Sequence, residues 1–183
     1  MKRVISQLLL KCAGWKSVVT VDFPEKCIIC VAPHTSNWDF VIGKLFYTSI
    51  GKTASFLIKN SWFFFPFNLF FTSIGGVPVD RSKSGELTDI LANEFLVRDR
   101  FQLAITPEGT RKLIPNWKKG FYFIALKAQV PIVLVTFDYG SKTVGVNRVF
   151  VPTGDEEKDL REIRLHYQNV VACHPEKFSI GEI

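Results

Sequence analysis

The stretch CIICVAPHTSNWDFVIGKLFY, residues 27–47, reads as a strand that runs straight into a helix. Its first seven residues, 27–33, are apolar or β-compatible, with Pro24 ahead of them and Pro33 closing them, the pattern of a strand buried on both faces. Thr35, Ser36 and Asn37 are all good N-cap residues, and Asp39 falls in the first turn of the helix that follows. His34 therefore stands at the strand-to-helix junction, with Asp39 just inside the helix.

The alternation continues downstream. Residues 54–59 (ASFLIK) read as a second strand, and residues 77–81 (VPVDR) as a short strand or extended loop. Residues 82–98 are helical in pattern, with apolar positions at Leu87, Ile90, Leu91, Phe95 and Leu96 near the 3.6 period. Residues 101–110 form a strand ending in a Pro-Glu-Gly-Thr turn. Residues 118–129 are helical, 130–140 a strongly β-branched strand, 144–151 a further strand and 155–172 a surface helix. Strands alternating with helices specify an α/β fold: a single domain with a mostly parallel central sheet flanked by helices.

Composition narrows the function classes. With 183 residues and 47% hydrophobic side chains, the chain can bury one substantial core and is not disordered. Its net charge of +6 suits nucleic acid, an anionic lipid surface or small phosphorylated substrates. No long Lys/Arg block and no nucleic-acid motif is present, so no nucleic-acid partner is expected. Cys27 and Cys30 have zinc-like spacing without a second pair and lie inside the buried strand, where free cysteines act as small apolar residues. No metal site is expected, and nothing demands an oxidising compartment.

Seventeen Phe stand against four Tyr and four Trp, so some rings belong to a surface that does not face plain water. Six of those Phe fall in residues 61–76 (SWFFFPFNLFFTSIGG), which fit either a buried core helix or a segment dipping into a bilayer interface. Residues 1–20 include an apolar stripe of Val4, Ile5, Leu8, Leu9 and Cys12 with basic Lys2, Arg3, Lys11 and Lys16. That stripe is too short to span a bilayer, which takes about 20 apolar residues, and no signal-peptide cleavage site follows it. It fits an amphipathic membrane-contacting helix or a helix packed on its own domain, leaving residues 21–183 as the main domain. The expected location is the cytoplasmic face of a membrane, as a peripheral protein.

The chemistry centres on His34 and Asp39. A carboxylate folded back across the first helical turn fixes one imidazole tautomer and stabilises the imidazolium, as a general base needs. No Ser or Cys is placed as a nucleophile beside the pair, and Ser36 is better suited to capping the helix. The base would then act directly on a substrate hydroxyl. Arg81 and Arg111 end two other segments, and guanidinium forks suit phosphate oxygens. Each Arg can equally pair with its neighbouring carboxylate, Asp80 or Glu108.

His34-x4-Asp39, Gly76-Val77-Pro78-Val79-Asp80-Arg81, Pro107-Glu108-Gly109-Thr110-Arg111 and Val130-Pro131-Ile132, in that order, resemble the four motifs of the glycerolipid acyltransferases, whose best-known members are the 1-acylglycerol-3-phosphate acyltransferases. Lys118-Lys119-Gly120 and residues 174–178 are similar to small bacterial members. Pro33 stands where many members have Asn, and Thr106 where many have Phe. The resemblance implies transfer of an acyl chain from acyl-CoA or acyl-carrier protein to a lysophospholipid hydroxyl, without metal, cofactor or covalent intermediate. It implies His34 as base and Asp39 as its orienter. Arg81, Glu108, Gly109, Thr110 and Arg111 would form the acceptor-binding wall, and residues 130–132 would shape the acyl side. The alternatives are an acyltransferase for another lipid or an amine, a hydrolase using water as acceptor, and a non-catalytic lipid-binding protein.

Overall fold

The computed structural model describes residues 1–80 and 84–181. Its centre is the strand β2 (Lys26–Ala32), where period-2 alternation sends Ile28, Cys30 and Ala32 to one core and Cys27 and Ile29 to the other. A strand apolar on both sides needs cover on both faces, and that forces helices above and below the sheet.

Six further strands complete it: β1 (Lys16–Val19), β3 (Ser55–Lys59), β4 (Gly76–Val79), β5 (Phe101–Ile105), β6 (Ile132–Asp138) and β7 (Thr143–Phe150). They lie in the order β1-β7-β6-β2-β5-β3-β4, and only the β6–β7 pair is antiparallel. The fold is therefore α/β with a mostly parallel sheet, as the alternation of elements predicts.

The helices are α1 (Lys2–Cys12), α2 (Asn37–Ser49), α3 (Phe67–Ser73), α4 (Ser84–Val97), α5 (Gly120–Ala128) and α6 (Glu156–Leu165). Residues of α1 and α2 pack with Cys27 and Ile29, whereas α4, α5 and α6 cover the opposite face. Because β5, β2 and β6 are adjacent and parallel, their C-terminal ends open on one edge. The segments after them carry Glu108, His34 and Tyr139 respectively. Ligands of open parallel sheets bind at this carboxyl edge.

Several expectations change in detail. β1 was not anticipated: Lys16–Val19 is exposed at a sheet edge and has no apolar alternation to mark it, yet it pairs with β7. α6 stops at Leu165, short of residue 172. The chain beyond it tightens into i→i+3 turns that carry Tyr167 inward, where its hydroxyl donates to the Cys30 carbonyl (2.8 Å). In α4, Leu91 and Phe95 are buried, but Ile90 and Leu96 face outward because the helix covers the sheet with a narrower stripe than the apolar pattern implied. Only Phe67–Ser73 of the aromatic stretch forms an α-helix, and none of its residues is buried. In α1, Ser6 and Leu10 face the protein, and Arg3 and Gln7 donate to the Ser49 carbonyl. The stripe Val4, Ile5, Leu8 and Leu9 points outward.

Cys27 and Cys30 are buried in the two cores, and burial pushes both thiols up to about 12. They are packed as small apolar residues. Among the described residues, no group of three or more His, Cys, Asp or Glu side chains is arranged to hold a metal ion. No helix there is long and apolar enough to cross a membrane.

Tyr167 is fully buried against Trp117 and tethers the strand that leads to His34. Tyr167→Ala should lower the unfolding free energy by about 3–5 kcal/mol, as other large-to-small aromatic core changes do. Leu96→Ala, at a 68% exposed position, should stay within about 0.5 kcal/mol of wild type. Urea titrations of the two variants check the contrast.

Candidate active site

The site is built from the start of α2. Of the three candidate caps, Ser36 is the one used: its Oγ accepts the Trp38 N–H (3.2 Å) and Asp39 closes the reciprocal half of a capping box. Asp39 Oδ2 accepts the backbone N–H groups of Thr35 and Ser36, both at 2.8 Å. The same oxygen lies 3.3 Å from His34 Nδ1. The other oxygen, Oδ1, accepts the Tyr139 hydroxyl at 2.6 Å. Asp39 is only 1% exposed, so burial alone would push its carboxyl up. The hydrogen bonds from His34, Tyr139 and Ser36 outweigh burial and hold it below the usual carboxylate range.

With Nδ1 turned to Asp39, the remaining polar atom of the His34 ring is Nε2. The ring is 18% exposed and lines a groove of about 1500 Å³ at the carboxyl edge of the sheet. The His34 backbone is held as well: its N–H donates to Glu108 Oε1 (3.0 Å). Next to it, Thr35 Oγ1 accepts the His174 N–H (3.1 Å).

The groove walls are mainly apolar and aromatic, with Phe40, Phe56, Trp62, Phe71, Leu91 and Phe121 among them. Lys44, Lys59, Arg111 and Lys118 bring positive charge to the same walls. An apolar channel with cations beside a histidine–carboxylate pair can hold a long hydrocarbon, seat an anionic group and take a proton from a hydroxyl between them.

The structure brings His34, Asp39, Gly109, Thr110 and Arg111 together around this groove. Gly109 has φ +62, a left-handed backbone conformation that favours glycine, and it lies against the Lys118 side chain. Glu108 is different: it is 2% exposed, lies behind the groove lining, and gives one oxygen to the His34 backbone. Its Oε2 has no hydrogen-bond partner among the described residues, and Glu108 is not bonded to the Arg111 guanidinium. Arg81 lies outside the described residues.

Residues 130–132 are not on the groove. Val130 and Ile132 are buried in the core at the start of β6, and the Pro131 carbonyl accepts the Ile28 N–H. They sit at the opposite end of the parallel strands from His34, away from the groove.

Tyr139 and Lys44 escaped the sequence reading. Tyr139 lies 100 residues from Asp39, and only knowledge of which strands are neighbours brings the two together. Lys44 is half-buried on the groove face of α2, where its ammonium donates to the Ile74 carbonyl and lies over the Phe56 ring. Burial lowers its pKa. Its helical spacing from Phe40 was the available signal.

The chain is similar to known proteins. A family model described as "Acyltransferase" matches residues 16–138. Human 1-acyl-sn-glycerol-3-phosphate acyltransferase beta is 35% identical over 88 residues, covering 44% of this chain and 31% of the human protein. The matched part thus spans less than a third of that relative's length. The crystal structure of the 1-acyl-sn-glycerophosphate (LPA) acyltransferase PlsC from Thermotoga maritima superposes with a TM-score of 0.57 at 18% identity, over 93% of this chain and 80% of that one. That likeness is one of fold. The family match takes in well over half the sequence, including His34, Asp39 and residues 107–111, and the chain belongs to the acyltransferase family.

Proposed function

We propose that this protein transfers a fatty acyl group from an acyl thioester, acyl-CoA or acyl-carrier protein, to a hydroxyl of a lysophospholipid-type acceptor such as 1-acylglycerol-3-phosphate. The observation that carries this reading is the His34–Asp39 pair at the wall of an apolar groove that also bears cations. The human relative, a 1-acyl-sn-glycerol-3-phosphate acyltransferase, and the Thermotoga LPA acyltransferase of like fold support the acceptor class.

In this mechanism the acceptor hydroxyl lies against His34 Nε2. As its oxygen attacks the thioester carbon, the proton passes to Nε2 and the imidazolium is stabilised by Asp39. The tetrahedral adduct then collapses, the C–S bond breaks, and the thiolate leaves, taking up a proton from the imidazolium or from water. A thiolate leaves readily, so proton removal from the alcohol is the step that needs help. General-base catalysis supplies roughly 10²–10⁴-fold of the rate, and positioning along the groove supplies a further share. Arg111, Gly109 and Thr110 form the acceptor wall, with Arg111 on the phosphate. Phe56, Trp62, Phe71 and Phe121 shape the acyl side.

Glu108 serves this site from behind. Burial pushes its carboxyl up to about 7; the His34 N–H and the His34 ring oppose the rise, and Asp39 adds to it. Protonated or ionised, Oε1 keeps accepting the His34 N–H, so Glu108 fixes the backbone of the base.

The membrane is the proposed partner surface. Val4, Ile5, Leu8 and Leu9 on α1, and Trp62, Phe64, Phe65, Phe67, Leu69 and Phe70 around α3, are exposed, with Phe65 reaching 78%. Exposed apolar groups in such number are a docking surface, and Lys2, Arg3, Lys11 and Lys59 suit anionic headgroups. Residues 1–20 contribute the membrane-contacting helix, residues 21–183 carry the chemistry, and the protein works peripherally on the cytoplasmic face.

Three outcomes are expected. His34→Ala and Asp39→Asn should each lower kcat for acyl transfer to 1-acylglycerol-3-phosphate about a thousandfold while circular dichroism stays unchanged. Undiminished transfer by folded His34→Ala would remove the base from the mechanism. For Glu108 the folded pKa is raised, so its stabilising contribution is complete below about 4.5 and is lost as pH rises towards 7. Wild type should therefore lose on the order of a few kcal/mol across that window relative to Glu108→Gln, and thermal melts at a series of pH values would show parallel curves if burial did not matter. Finally, wild type should float with anionic liposomes, and a Leu8→Glu/Phe65→Glu double variant should not. A wild type that stays at the bottom of the gradient would contradict the docking surface.

A further inference from the structure

We propose that Tyr139 is a positioning residue for the reaction, holding Asp39, and through it His34, in the orientation and charge state that general-base catalysis needs. The proposal rests on the general-base reading of His34. Tyr139 lies just beyond the stretch matched by the acyltransferase family model, which ends at residue 138.

Geometry carries the assignment. Asp39 has two oxygens with different duties. Oδ2 takes the Thr35 and Ser36 N–H groups and faces His34 Nδ1. Oδ1 takes the Tyr139 hydroxyl at 2.6 Å, a short charge-assisted hydrogen bond to a carboxylate 1% exposed. Without that bond, one oxygen of a buried carboxylate would lose its donor, and the carboxylate would be held through Oδ2 alone. The ring that brings the hydroxyl there is itself fixed. It stands edge-on to Trp15 at 4.9 Å between centroids, and the Tyr139 N–H donates to the Val171 carbonyl (2.8 Å).

The arrangement also tunes charge. A donor on Oδ1 draws negative charge away from Oδ2. The titratable groups facing the pair from the packed elements are Tyr139 itself, Glu108 after β5, and Cys173, which adds to the upward push on the Tyr139 hydroxyl. Removing the hydroxyl leaves more charge on the oxygen that faces Nδ1, which stabilises the imidazolium more and makes His34 harder to deprotonate. Strengthening the donor does the reverse. Two substitutions thus move one observable in opposite directions, which a purely structural role would not do.

The test follows His34 directly. Imidazole resonances of protein labelled with ¹⁵N-histidine are recorded against pH; with three histidines in the chain, the His34→Gln spectrum assigns the signal. In Tyr139→Phe, which keeps the ring against Trp15, the His34 midpoint should rise by about half a pH unit. With 3-fluorotyrosine placed at position 139, a stronger donor, it should fall. In acyl transfer, Tyr139→Phe should reduce kcat roughly tenfold with KM for both substrates within about twofold, and the acid limb of the rate profile should follow the His34 midpoint. A His34 midpoint that is the same in wild type, Tyr139→Phe and the fluorotyrosine protein overturns the proposal. A midpoint that moves as expected, in a protein whose His34→Ala variant still transfers acyl groups at the wild-type rate, upholds the hold of Tyr139 on the pair and overturns the general-base role instead.

Discussion

A carboxylate taken out of water must find donors for both of its oxygens, and the structure around Asp39 answers that requirement. Two donors come from the loop that starts α2, one from the His34 ring and one from Tyr139 at the end of β6. Local helix capping and the alignment of the histidine are thereby a single arrangement. The cap cannot relax without disturbing the oxygen that faces the imidazole, and the imidazole cannot turn without leaving its place at that oxygen. The parallel register β5-β2-β6 matters for the same reason, since it places the segments bearing Glu108, His34 and Tyr139 side by side.

Much of this was legible in the sequence, for identifiable reasons. The strand before His34 declared itself because it is apolar on both faces, and the helix after it because a capping run is followed by apolar residues. Asp39 could be paired with His34 since both lie within one helical turn of the cap. What stayed hidden depends on long-range pairing or on which way a face turns. The bond between Tyr139 and Asp39 crosses 100 residues. Strand β1 has no apolar pattern because it lies exposed at an edge. Glu108 reads as a surface carboxylate next to Arg111, but folding buries it under the His34 backbone. The Val-Pro-Ile segment is apolar because it starts a core strand, and its composition could not distinguish that from a groove lining.

The two ambiguous apolar segments divide along another physical line. No residue of α3 is buried, and α1 packs on the domain through Ser6 and Leu10 while turning Val4, Ile5, Leu8 and Leu9 away. Folding normally hides such side chains because each buried one contributes roughly 1.5–3 kcal/mol. Leaving this many outside is consistent with a second apolar medium against which they are covered. Trp62 and Phe71 connect the aromatic segment to the groove that His34 lines, so an apolar path runs from that surface to the base.

In the proposed mechanism the imidazole of His34 takes the acceptor's proton. Chemical rescue tests it most directly. His34→Gly removes the ring and leaves a space at the groove wall, and free imidazole can then stand in for it. The account predicts that acyl transfer by this variant is nearly abolished in plain buffer and returns in proportion to added imidazole, following the imidazole's own protonation as pH is varied. Transfer by His34→Gly at the wild-type rate without imidazole would contradict it.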